Sequence, residues 1–190
     1  FNALNLLAVF GASILLGHHE DEILRVISEL GAVEGRFEVM KGRGELSAIV
    51  DYAHTDDALK NVLETIREVN RENRQLITVF GAGGDRDVEK RPKMGEVAAA
   101  FSSKVVLTSD NPRSEDAEKI MKDIEVGIPE DFRGNVLKIA DREEAIKTAC
   151  MISNDSAIVL IAGKGHEKYQ IIGSEKRHFD DKETVMKYLK

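Results

Sequence analysis

Leu76-Ile77-Thr78-Val79-Phe80-Gly81-Ala82-Gly83-Gly84-Asp85-Arg86-Asp87 is the stretch on which the fold turns. Five residues of high β-propensity end at a glycine cluster, which reads as a short strand leaving a sheet. The strand is a nearly continuous apolar run, with no alternation of apolar and polar positions. That pattern belongs to a strand covered by helices on both faces, as in a parallel sheet. A helical pattern follows over Arg91–Phe101.

Working outward, the same alternation repeats. Further strands are expected at Ala48–Asp51, Lys104–Thr108, Val136–Ile139 and Ala157–Ala162. Helices are expected at Asp56–Asn70, Ala117–Val126, Arg142–Ile152 and Asp181–Leu189. Short strands alternating with amphipathic helices make βαβ units, so the fold class is α/β with a mostly parallel sheet. Upstream, Phe37–Met40 and Glu45–Val50 flank Lys41-Gly42-Arg43-Gly44 and read as a hairpin. The strand order does not follow from the pattern.

The amino-terminal part differs. Residues 1–17 form an apolar helix that needs partners on several sides. A second helix is expected at about Asp21 to Leu30, stopped by Gly31. The run Leu4 to Leu16 is too short to span a bilayer and lacks the flanks of a signal peptide, so no membrane insertion is expected. Phe1 stands where an initiating Met would be, and residues 1–30 read as the end of a preceding domain in a longer chain. Residues 31–190 then form the domain proper.

Composition narrows the function. A net charge of −7 argues against a nucleic-acid binder, whose footprint is basic. One cysteine, Cys150, allows neither an internal disulfide nor a zinc site, and a reducing, cytoplasmic setting fits.

Ligands of an open parallel sheet bind outside the carboxyl ends of its strands. Four loops follow strands directly: Asp51–Thr55, Gly81–Asp87, Ser109–Arg113 and Gly163-Lys164-Gly165-His166-Glu167. Sheet geometry gathers them on one rim. None is a known phosphate loop. With glycines at 81 and 83, a dinucleotide fingerprint needs a third at 86, which is Arg86. Gly163-Lys164 is followed by Gly165 where a P-loop needs Ser or Thr, and Ile158 stands where that loop's first glycine belongs.

Each loop also has a plain structural reading. His54 could cap the helix after it, and Asp51 could support that turn or accept from a ribose diol. Lys90, Arg91 and Lys93 read as an ordinary solvated face, whereas Arg86 sits in a glycine turn whose amides favour anions. In Asp110-Asn111-Pro112-Arg113, Arg113 offers a planar fork that matches a carboxylate, and Glu167 suits an ammonium group. A rim with Arg, Asn and Glu can hold an amino-acid end.

These loops, with Phe1-Asn2, Asn5, Gly35-Arg36-Phe37-Glu38 and Lys90-Arg91-Pro92 in register, resemble the Mur ligases of peptidoglycan synthesis. Within them the likeness is to the branch that adds meso-diaminopimelate. The resemblance implies a Rossmann-like, doubly wound domain preceded by a helical remnant of a central domain. That central domain would carry the P-loop and most of the ATP and Mg2+ site. It implies partners UDP-MurNAc-L-Ala-D-Glu, ATP, meso-diaminopimelate and the chain's own central and N-terminal domains. The reaction implied is amide formation through an acyl phosphate, with no catalytic residue and no metal ligand in this chain.

Carried over by position, Arg86, Asp110, Asn111, Pro112, Arg113, Gly163 and Glu167 would bind the amino acid. Arg36, Asp51 and His54 would reach the nucleotide. The sequence departs from the family pattern at Asp56, where proline is usual, and at Ala82, where cysteine is common. A lysine-adding ligase, a ligase joining glutamate to folate and a stand-alone α/β binding module remain as alternatives.

Overall fold

The structure, a computed structural model, describes residues 2–30, 33–70 and 72–189. Phe1 and Gly31, read above as a family marker and a helix stop, lie outside the described residues. The chain divides into two compact units, Phe1–Ala32 and Val33–Lys190.

The first unit holds α1 (Asn2–Leu15) and α2 (Glu20–Glu29). Leu7 and Leu15 on α1 are among its exposed apolar side chains, while Ile23 on α2 is buried. No helix among the described residues is long and apolar enough to cross a membrane.

The second unit is built on a six-stranded sheet. Its strands are β1 (Glu38–Lys41), β2 (Ser47–Asp51), β3 (Leu76–Phe80), β4 (Lys104–Leu107), β5 (Val136–Lys138) and β6 (Ile158–Ala162), in the spatial order β1-β2-β6-β3-β4-β5. Only β1 is antiparallel, paired with β2 through Glu38↔Val50 and Lys41↔Ser47. The chain steps outward from β3 to β5 and then returns to insert β6 between β2 and β3. That reversal is the switch point at which such sheets bind ligands.

The helices are α3 (Asp56–Val69), α4 (Lys90–Phe101), α5 (Ala117–Glu125), α6 (Arg142–Ile152) and α7 (Asp181–Tyr188). Strand side chains alternate between two cores. Ile49, Phe80, Leu107 and Leu160 pack with Leu63, Met94 and Ile124 of α3, α4 and α5. Val50, Val79, Val106 and Ile161 pack with Ile146 and Ala149 of α6 and Val185 of α7. Cys150 joins this second core, where burial pushes its thiol up to about 11 and leaves it unreactive.

Helix starts are marked by side chains that accept from the first-turn amides: Thr55 for α3, Asp116 for α5, Asp141 for α6 and Asp180 for α7. A second hairpin, β7 (Tyr169–Ile172) with β8 (Glu175–His178), was not expected from the sequence. Its Gly173-Ser174 turn is a hairpin signal, but β8 is exposed along its whole length and carries no apolar alternation.

Arg142, at the start of α6, is fully buried and binds the buried Asp181 of α7 through Nε at 2.7 Å and Nη2 at 2.8 Å. Burial disfavours the Arg142 charge, but the Asp181 carboxylate outweighs it and the guanidinium is held charged. Asp181→Asn leaves that cation without its counter-charge. It is expected to lower unfolding free energy by about 3–5 kcal/mol, read as a lower urea midpoint with unchanged slope.

Candidate functional site

The order β2-β6-β3-β4 puts the four loops on neighbouring strand ends. Between them lies a cleft of about 190 Å³. Of the expected amino-acid residues, Arg86, Asp110, Asn111, Arg113, Gly163 and Glu167 line it, and of the nucleotide set His54 does. Pro112 is buried and is not part of its lining. Tyr52, Gly83 and Lys90 line the cleft without having been singled out for it.

The loops after β3 and β4 are zipped together. The Gly84 amide donates to Asn111 O at 2.9 Å, and Arg113 Nη1 donates to Gly84 O at 2.7 Å. A Cβ on Gly84 would lie 1.8 Å from Pro112 O, so only glycine allows this approach. Ser114 donates through its hydroxyl to Asp85 at 2.5 Å. Arg113 and Asp85 both have left-handed backbones, φ 53° and 54°. That conformation costs a residue with a Cβ about 1–2 kcal/mol, and such strain clusters where a site over-determines the backbone. Among the described residues, nothing takes Arg113 Nε or Nη2.

Lys164 is the largest addition to the site. It is fully buried, and its ammonium lies 3.1 Å from the Asp110 carboxylate. It also donates to Asn111 Oδ1 at 3.0 Å and Tyr169 O at 2.8 Å. Burial pulls its pKa down, and the Asp110 charge opposes that. With the Ile171 amide also donating to Asn111 Oδ1, the amide of Asn111 is oriented. Its Nδ2 therefore faces Glu167 Oε2, at 3.0 Å. The sequence signal for Lys164 was a lysine between glycines at the end of an apolar strand, a place where the ammonium has to find partners inside.

The residues expected to reach the nucleotide sit nearby. Arg36 stacks over the Tyr52 ring at 4.5 Å, and Tyr52 meets His54 edge-on at 4.6 Å and His166 at 5.0 Å. His54 does not cap α3; Thr55 does, accepting from the Ala58 amide. Asp51 is buried, with Oδ2 accepting from the Phe37 amide at 2.7 Å and Oδ1 from the Ala53 amide at 2.8 Å. Burial raises its pKa, and those amides pull it back. Each oxygen keeps one lone pair for a further donor. Burial also raises the Tyr52 hydroxyl, helped by the charge of Glu167.

The solvated face expected at Lys90, Arg91 and Lys93 holds only for Lys93, which is exposed. Arg91 is fully buried, gripping Glu115 at 2.8 Å and Asp123 at 2.9 Å. Glu115 in turn accepts from the Asp85 amide at 2.6 Å. A charge run cannot reveal this, because the two acids that draw Arg91 inward come from a distant loop and from α5.

The family model described as "Mur ligase, glutamate ligase domain" matches residues 35–165. The chain belongs to the Mur ligase family. Over 185 residues this Mur ligase chain is 51% identical to a UDP-N-acetylmuramoyl-L-alanyl-D-glutamate–2,6-diaminopimelate ligase of Bacteroides thetaiotaomicron, covering 97% of this chain and 38% of that one. To the ligase of the same name from Cytophaga hutchinsonii it is 49% identical over 189 residues, covering 100% of this chain and 39% of that one. A solved structure of a ligase so named superposes with a TM-score of 0.75 at 41% identity, over 99% of this chain and 38% of the other. The chain thus spans 38–39% of the length of these curated relatives.

Arg91, with the Asp85 amide, depresses the Glu115 carboxyl from 4.5 to about 2. The folded state therefore releases this proton more readily than the unfolded chain. The stabilisation is complete above the unfolded value and is lost as pH falls toward the folded one. Glu115→Gln is expected to be less stable than wild type near pH 7, with the gap closing below about pH 4. Urea titrations across that range provide the measurement.

Proposed function

We propose that this chain is the amino-acid-binding part of an ATP-dependent ligase that joins meso-diaminopimelate to UDP-MurNAc-L-Ala-D-Glu in the cytoplasm. The observation that carries this reading is one cleft holding Arg113, with a free guanidinium edge, and Glu167, in a chain about half identical to ligases named for that amino acid. With Asp110 paired to Lys164, the cations Arg86, Lys90 and Arg113 share the cleft with the one remaining carboxylate, Glu167. That balance suits a ligand with more than one carboxylate.

In this reading Nε and Nη2 of Arg113 take the distal carboxylate in a planar pair of bonds. Arg86 takes the other carboxylate. Glu167 receives an ammonium group, while Asp110, Pro112 and Gly163 shape the floor.

ATP, when bound with Mg2+, supplies the phosphoryl group that makes the D-glutamate carboxylate an acyl phosphate. The amine then displaces phosphate to form the amide. Arg36, Asp51 and His54 are assigned contacts to that nucleotide. Among the described residues, no three His, Cys, Asp or Glu side chains gather as a metal site. From the family resemblance, the phosphates and Mg2+ are assigned to a central domain, of which residues 1–30 are the end. Residues 31–190 are the domain that closes on it.

Lysine lacks the distal carboxylate and would leave Arg113 unpaired in a partly buried site. In the full-length ligase, Arg113→Ala is expected to cost about 2–5 kcal/mol of preference for meso-diaminopimelate over lysine, a factor of about 30 to several thousand. The kcat/KM ratio for the two amino acids is the readout, and an unchanged ratio would remove Arg113 from this role.

A further inference from the structure

The β7–β8 hairpin lies against the loop after β4 and does none of the binding assigned above. An isolated two-stranded hairpin is marginal in water, and β8 is exposed at every residue, so this one is not kept as core. What it grips is the ligand-reading loop. Arg113 donates its amide to Ile171 O at 3.2 Å, and its carbonyl accepts from the Gly173 amide at 2.7 Å. Both backbone groups of a left-handed residue are therefore held by the hairpin.

Gln170 is the anchor. It is buried, and its Nε2 donates to Asp110 O at 2.8 Å and Ser109 Oγ at 3.3 Å. Its Oε1 accepts from Nε and Nη2 of Arg177 on β8 at 3.1 and 2.6 Å. Both donors and both acceptor sites of this one amide are thus in use. Neither Gln170 nor Arg177 lines the cleft.

We infer that the β7–β8 hairpin is a specificity element of the amino-acid site. Gln170, braced by Arg177, holds Asp110–Arg113 so that Arg113 keeps its left-handed backbone and aims its free edge at the ligand's distal carboxylate. Gln170 and Arg177 are positioning residues, and the inference rests on the substrate reading above. A planar two-bond contact is lost with small displacements of the fork, so loosening the brace falls on discrimination.

The test compares wild type, Gln170→Glu and Arg177→Gln in the full-length ligase, measuring kcat/KM for meso-diaminopimelate and for lysine and KM for ATP. Gln170→Glu keeps the shape and the Arg177 partner but sets a carboxylate oxygen against Asp110 O. The preference for diaminopimelate is expected to fall by about tenfold or more, with KM for ATP within about twofold. Arg177 is exposed, so Arg177→Gln folds, and a fall of about threefold is expected there. A merely structural role would lower both amino acids alike and leave the ratio intact; an intact ratio in both variants overturns the inference. A wild-type ligase with no preference overturns the substrate reading first, and the hairpin's role in specificity with it.

Discussion

Arg142 carries its charge where no water reaches it, and the two bonds to Asp181 are only half of what it does. Nη2 also donates to Ala162 O at 3.1 Å and Nη1 to Ser109 O at 3.4 Å. Those carbonyls stand immediately before Gly163 and Asp110, at the roots of two of the four loops. One guanidinium thus joins α6, α7 and the carboxyl ends of β4 and β6. A buried ion pair is weak evidence for stability, since its desolvation offsets much of its attraction. Its value here is geometric: the planar fork fixes where both loops leave the sheet.

Above that anchor, cations paired with acids hold the site in layers. Lys164 with Asp110 orients Asn111, which orients Glu167. Arg91 with Glu115 braces the glycine turn that Arg113 reaches across. Each pairing leaves a smaller number of groups free, and those free groups face the cleft. Preorganisation of this kind keeps ligand-binding groups in place before the ligand arrives.

Much of the scaffold was legible because its signals are local. Leu76–Phe80 and Arg142–Ile152 have the expected bounds, and the other sheet strands and helices of the second unit differ by a residue or two at their ends. The rim of four loops followed from the rule that parallel strands present their carboxyl ends together. Strand order did not, because the return of the chain from β5 to β6 leaves no mark in periodicity. The β7–β8 hairpin was missed for a related reason: Glu175–His178 pairs through its backbone while its side chains stay in solvent.

The sequence by itself determined the α/β class, the two-sided burial of the sheet, the four loops and the residues on them with the chemistry to hold an amino acid. These are properties of short segments: apolar runs, caps, glycine turns and donor sets. Only the tertiary structure decided which charges are spent inside and which remain for a ligand. Arg91, Arg142 and Lys164 look like any surface cation in the sequence, yet each is sealed among partners up to 54 residues away. An ion pair is a relation between two segments, and its partner is named by proximity in space, which neither residue's neighbours encode.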